Sequence, residues 1–240
     1  MSFRKLFVAA GLSLCTLYSM PVLAASDDLA ELRNADLGAK NEWHLIKNDS
    51  LRNIKTYTKQ EDGKKVRSFR VDMVVNASLE TVARVHYDPD NLKKWFWETP
   101  ESRLLKKISP YEFYYYQKFN APVTMPDRDS ILHAVIQPYS KRKGFMTISL
   151  KAAPDYLPVT KGLVRVQQQD MVIRLTPVSD EKTRLEVEGY IDPGGISPAW
   201  GINFVQRMAP YTSMVGLQRI VQDPMYREPS GPAPFAITGD

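Results

Sequence analysis

Few residues in this chain carry obvious chemistry. Three histidines, His44, His86 and His133, stand on separate stretches, and none has a neighbour at metal-ligand spacing. The single cysteine, Cys15, falls in an N-terminal leader. A zinc site needs several His, Cys or carboxylate ligands converging on one ion, and this pattern offers no such set. A Gly-rich phosphate loop, a G-x-S-x-G elbow and an H-E-x-x-H helix are missing from the sequence too. The stretch "PDRDSILHAV" (126–135) is more informative. Arg128 and Asp129 open a strand, so their side chains leave on opposite faces. One of them must look toward the inner face of a sheet. A buried guanidinium there needs a partner, because an unpaired buried charge is strongly destabilising. Alternation groups Arg128 with Ser130, Leu132 and Ala134, and Asp129 with Ile131, His133 and Val135. The two sets differ little in polarity, so this strand alone leaves the parity open. For acid–base chemistry, His133 with Asp129 or Tyr115 is the best grouping the sequence offers. It requires His133 and Asp129 to share the inner face.

The elements that must position these residues are legible from periodicity. "IDPGGISPAWGINF" (191–204) ends a strand-like run in two glycines and opens a helix near Pro198. Phe204, Met208, Tyr211, Met214, Leu217 and Val221 continue that helix, and Arg207 and Arg219 are essentially its only charges. A surface helix normally keeps a polar face. This one must therefore lie against something over much of its circumference. Upstream, "EWHLIKN", "RNIKTYTKQ" and "RSFRVDMVV" predict a three-strand meander with a turn at Asp62-Gly63. "NASLETVARVHYD" predicts a helix capped by Ser78, and "DPDNLKKWFWE" a turn and a short helix. A long β region follows, from "RLLKKIS" to "TRLEVEGYID". In its last run Leu185, Val187, Gly189 and Ile191 alternate with Arg184, Glu186, Glu188 and Tyr190, so one face looks inward and one faces water.

The chain has 240 residues, 43% hydrophobic and 25% charged, with a formal net charge of +5. That is ordinary for a globular protein and long enough for one sizeable core. Lys and Arg are interleaved with Asp and Glu and form no dense basic stripe, which argues against a nucleic-acid partner. A mild positive charge suits transient contact with an anionic membrane surface. The N-terminus reads as a signal peptide over residues 1–24. Arg4 and Lys5 form a positive region, an apolar stretch runs from Leu6 to Met20, and Val22 and Ala24 flank a small-residue cleavage site. Leu14 before Cys15 argues against a lipoprotein signal. Cleavage after Ala24, with Ala25 the alternative, leaves an exported chain, periplasmic or secreted, without cysteine and so without disulfides. "SDDLAELRNADLG" (26–38) predicts a short helix, and residues 223–240, rich in Pro and Gly, a loose tail.

The order of elements is short helix, three strands, two helices, six strands and a long C-terminal helix. With it come "KKWFW" after the second helix, "MPDRD" opening a strand, "GLVRV" (162–166), and "IDPGG" with "SPAWGIN" before the last helix. On these residues the chain resembles the StAR-related lipid transfer (START) domain family, in a bacterial exported form, over roughly residues 30–222. The resemblance implies an α+β helix-grip fold, a curved antiparallel sheet wrapped around the long C-terminal helix. It also implies one domain over 25–222, with a hydrophobic ligand buried between sheet and helix. The residues expected to bind that ligand are Trp95, Tyr115, Gln117, Arg128, Leu132, Ile148, Val166, Trp200, Phe204, Met208, Tyr211, Met214 and Leu217. The family commonly sets an acid against the Arg of "RD", and matching places Gln117 there. Either Arg128 then uses another carboxylate, or a ligand's polar head supplies the acceptor. The segments 153–162 and 192–197 are expected to form the rim. The implied function is a monomeric lipid-binding or lipid-transfer protein, without metal or cofactor. The alternative is an enzyme on the same grip, a cyclase, aromatase or hydrolase acting on a hydrophobic substrate.

Overall fold

Period-two patterning dominates the chain, and it builds one large sheet. The computed structural model describes residues 41–122, 125–197 and 199–233. The leader at 1–24 and the helix expected at 26–38 lie outside the described residues. The strands are β1 (His44–Asp49), β2 (Ile54–Lys59), β3 (Ser68–Val75), β4 (Glu101–Ser109), β5 (Glu112–Phe119), β6 (Arg128–Gln137), β7 (Met146–Ala152), β8 (Val164–Arg165), β9 (Gln168–Ser179) and β10 (Lys182–Asp192). Their order across the sheet is β1-β2-β3-β10-β9-β7-β6-β5-β4. Pairing along this path is antiparallel, and the two-residue β8 adds a parallel bridge to β6. The six full strands of the second β block are those expected; β8 is the extra piece.

Parity follows from burial. On β9 Gln169, Met171, Ile173 and Leu175 are buried while Asp170, Val172 and Arg174 are exposed. On β10 Leu185 and Val187 go in, and Arg184 on the outer face pairs with Asp72 across to β3. The meander turn uses Gly63 at φ +77°, a left-handed conformation that glycine adopts without strain.

Three helices stand among the described residues: α1 (Leu79–His86), α2 (Ala199–Ile220) and α3 (Pro224–Arg227). Ser78 caps α1 as expected, its Oγ accepting from the Thr81 N–H at 3.1 Å. Val82, Ala83 and Val85 bury the inner stripe of α1 against β9 and β10. A 3-10 turn (Pro89–Lys94) follows and ends at Trp95. The tail expected to hang loose from residue 223 instead begins as α3. Asp223 caps it, Tyr226 is buried, and the Tyr226 hydroxyl donates to Asp88 at 2.9 Å. No helix among the described residues is long and apolar enough to cross a membrane.

α2 lies across the concave sheet and is held from both flanks. Gln206 donates to the Arg67 carbonyl at 2.9 Å, and Gln218 to the Arg52 carbonyl at 2.6 Å. The Tyr211 hydroxyl donates to Asp49 at 2.7 Å, and with Arg52 it holds the Asp49 carboxyl down at about 2. On the other flank Arg219 donates to the Lys94 carbonyl, and Gly216 lies against the backbone of Trp95. This is the α+β helix-grip arrangement.

The strand parity left open by the sequence resolves with both charges buried. Asp129 points to the outer face, yet it is covered there by the segment 153–166. Arg165 grips it in a bidentate pair at 2.8 and 3.0 Å. The remaining guanidinium hydrogens go to the carbonyls of Pro154, Leu157 and Pro158. A buried pair with every hydrogen used is the kind whose disruption is costly, because removing one partner strands the other charge. The segment 153–162, expected to form a mobile rim, is thus clasped to the back of β6.

A Cβ built on Gly216 would collide with the Trp95 carbonyl oxygen, an atom of fixed backbone. Gly216→Ala must therefore lift α2 or displace Trp95. Overpacking of this kind costs about 1–3 kcal/mol. Urea denaturation of the variant should show a loss in that range. Unchanged stability would mean that the helix does not approach Trp95 this closely.

Candidate functional site

Between α2 and the inner face of the sheet lies a cavity of about 200 Å³. Its walls are largely carbon. Phe69 and Val71 of β3, Met171 and Ile173 of β9, and Ile148 and Leu150 of β7 supply the floor. Gly189 of β10 makes that floor deep. A Cβ there would fall 2.7 Å from Met171 and 2.8 Å from Phe69, so the missing side chain is what lets those two lie flat. Leu92, Trp95 and Phe96 close the flank from the 3-10 turn, and Phe119 to Pro122 with Met125 close it from the β5–β6 connection.

Of the residues expected to bind ligand, Trp95, Tyr115, Gln117, Arg128, Ile148, Val166 and Met214 line this cavity. Leu132 and Leu217 do not; both are fully buried in packed core. Trp200, Phe204 and Met208 face away from it, 57%, 49% and 42% exposed. Tyr211 is spent on Asp49, with the Lys47 ammonium 4.0 Å from its ring centre. The helix phase explains the correction. The cavity side of α2 is Gly201, Ile202, Val205, Gln206, Ala209, Pro210, Ser213 and Met214. Mostly small or medium side chains face inward and leave space, whereas the large ones at 200, 204 and 208 would have filled it.

Two arginines, Arg67 and Arg128, line the cavity, and Arg128 is the buried one. It is 6% exposed. Nη1 donates to the Pro126 carbonyl and Nη2 to the Ser197 hydroxyl, which lies in the 192–197 segment expected at the rim. Its Nε is buried without a partner, and no ion pair reaches the side chain among the described residues. Burial pulls its pKa down from the ordinary value, with Asp127 nearby opposing the shift. Asp127 itself is engaged by Lys118 at 3.0 Å and the Ala121 N–H at 3.1 Å. Gln117 does not stand in for the missing acid. In the sheet it lies opposite Ser130, one same-face step from Arg128, whose partner is Phe119. Its amide nitrogen donates to Thr99 at 2.9 Å.

Several cavity residues were not legible beforehand. Phe69, Gln169 and Met171 follow from strand parity once the sheet is known. His86 does not: it ends α1 with its ring edge-on to Trp95, centroids 5.6 Å apart. His133, the sequence's best candidate base, lies on the outer face. It is stacked on Tyr114 at 4.5 Å and bonded to Glu112 at 2.7 Å. The grouping of His133 with Asp129 or Tyr115 is therefore not formed.

Comparison with known proteins agrees with this geometry. An uncharacterised Pseudomonas aeruginosa protein is 27% identical over 177 residues, covering 74% of this chain and 85% of that protein. The crystal structure of a STAR-related lipid transfer protein fragment from Xanthomonas axonopodis superposes with a TM-score of 0.69 at 28% identity, covering 75% of this chain and 99% of that one. Human STARD10 gives a TM-score of 0.66 at 18% identity, covering 90% and 86%. The START domain family model matches residues 24–214. With the gripped helix, the cavity beneath it and this match across most of its length, the chain belongs to the START domain family.

Proposed function

We propose that this protein is a lipid-binding or lipid-transfer protein of the periplasm that buries one acidic amphiphile under α2. The observation that carries the reading is an apolar cavity with a single buried guanidinium, Arg128, left without a carboxylate among the described residues. The lipid-transfer name of the Xanthomonas neighbour supports the ligand class. Taking an acyl chain out of water contributes about 25 cal/mol per Å² of apolar surface. The head then supplies the charge-assisted bonds that Pro126 and Ser197, both neutral, cannot. An arginine side chain stays protonated in proteins, so Arg128 offers the head a cation at neutral pH. On this reading the protein acts by burial and release rather than by turnover, in keeping with the lipid-transfer name of its Xanthomonas neighbour.

Delivery requires contact with a bilayer. Trp200, Phe204 and Met208 form an exposed apolar stripe on α2, and Ile196 beside it is 98% exposed. On this reading the stripe dips into the membrane interface, where Trp is favoured, while the opposite face of α2 lines the cavity. Trp200→Ser with Phe204→Ser should slow lipid pickup from vesicles while leaving binding of dissolved lipid unchanged. Equal losses in both assays would contradict that role. Export rests on the Arg4-Lys5 region, the short apolar stretch and the Val22-x-Ala24 site. N-terminal sequencing of chain from the envelope fraction should begin at Ala25, and retention of residues 1–24 would argue against it.

The head site is tested with matched tails. Arg128→Met should weaken oleate binding on the order of tenfold to hundredfold, the equivalent of about 1.5–3 kcal/mol for a hydrogen bond to a charged group. Oleyl alcohol, which has the same chain and no charge, should be affected far less. Equal affinity of parent and variant for both probes, measured by calorimetry, would place the polar end elsewhere.

A further inference from the structure

The cavity holds polar groups that an acidic head at Arg128 leaves unused. Tyr115 is 7% exposed and sits on the inner face of β5 between Phe113 and Gln117. Its hydroxyl meets no hydrogen-bond partner among the described residues. Tyr115 lines the cavity, where such a hydroxyl can both donate to and accept from a guest. His86 lines the same cavity. Its Nδ1 lies 2.8 Å from the Val82 carbonyl oxygen. A carbonyl only accepts, so Nδ1 carries the hydrogen and Nε2 keeps a bare lone pair. Nε2 too has no partner among the described residues.

The two side chains belong to neighbouring walls. Tyr87, next to His86, packs on Phe113 at 5.3 Å between ring centres, and Phe96, next to Trp95, lies 6.4 Å from Phe119. The segment 86–96 therefore flanks β5 from Phe113 to Phe119, and Tyr115 falls between those ends. Both groups are neutral. Burial raises the Tyr115 pKa and lowers that of His86. An anion would face the lone pair of Nε2, and Asp88, the cavity's carboxylate, already binds Asn91 and Tyr226. A ligand hydroxyl fits both groups, donating to His86 Nε2 and accepting from the Tyr115 hydroxyl. Arg128 pairs with Phe119, four residues beyond Tyr115 on β5, which is about 14 Å at about 3.4 Å per residue.

We propose that Tyr115 and His86 form a second polar subsite for a neutral hydroxyl on the body of the ligand, so that the preferred guest is a hydroxylated acidic amphiphile. This rests on the lipid-binding reading above, and the test separates the two. Oleate and ricinoleate share a chain and a double bond and differ by one hydroxyl, set well along the chain from the carboxylate. Calorimetry on the delipidated full chain should show ricinoleate binding at least about fivefold more tightly, the worth of one net hydrogen bond. Tyr115→Phe, which removes only the oxygen, should abolish that preference, so that ricinoleate and oleate bind the variant within about twofold of one another. His86→Leu should do the same; if it fails to fold, Tyr115→Phe still decides. Equal binding of both probes by the parent, or a preference that survives Tyr115→Phe, overturns the subsite and leaves the carrier reading standing. No binding of oleate by the parent overturns the carrier reading and the subsite with it.

Discussion

The structure depends on holding a long helix over a sheet without letting it fall in. A helix that is apolar on most sides would ordinarily bury its largest residues and close the core. Here α2 is fixed at its flanks instead. The carbonyls of Arg67 and Arg52 and the Asp49 carboxylate hold one side, and Gly216 seats the other against the Trp95 carbonyl. Those contacts set the rotation of the helix. They turn Ala209 and Ser213 toward the sheet and Trp200, Phe204 and Met208 toward solvent. Space remains beneath α2 because small residues were placed where large ones would have been more stable.

The two charges that open β6 show how one dipeptide serves both stability and site. Asp129 faces outward and is completed by Arg165, 36 residues later, whose other hydrogens tie down the 154–158 carbonyls. That pair holds the back of the sheet shut. Arg128 faces the cavity and receives only neutral acceptors. The asymmetry has a physical consequence. A fully paired buried charge is inert toward ligands, whereas one with unmet capacity binds an anion strongly when water is excluded.

Much of this was readable from the residues. Alternation placed the strands, Ser78 announced α1, and the Pro/Gly approach to residue 199 announced α2. The site was legible only where parity decided it, as for Ile148, or where motif and burial coincided, as for Arg128. The phase of α2 was not, because both of its long faces are apolar and only the size difference between Ala209 and Phe204 separates them. The family resemblance sets Gln117 against Arg128, whereas sheet register puts it opposite Ser130. The approach at Gly216 and the His86 ring depend on contacts between distant segments, which no local pattern encodes. The tail misled through its composition: proline at 224 starts a turn, and the turn buries Tyr226.

The central claim is that the space under α2 exists to hold one acidic lipid intact. It is tested most directly by purifying the protein gently from its own cells and recording its mass under native conditions, then extracting and identifying what is bound. The account predicts one amphiphile per chain, acidic and chemically unaltered, and its loss from Arg128→Met. A chain that returns empty from a lipid-rich envelope, or one that releases a transformed product of the lipid it was given, would contradict it.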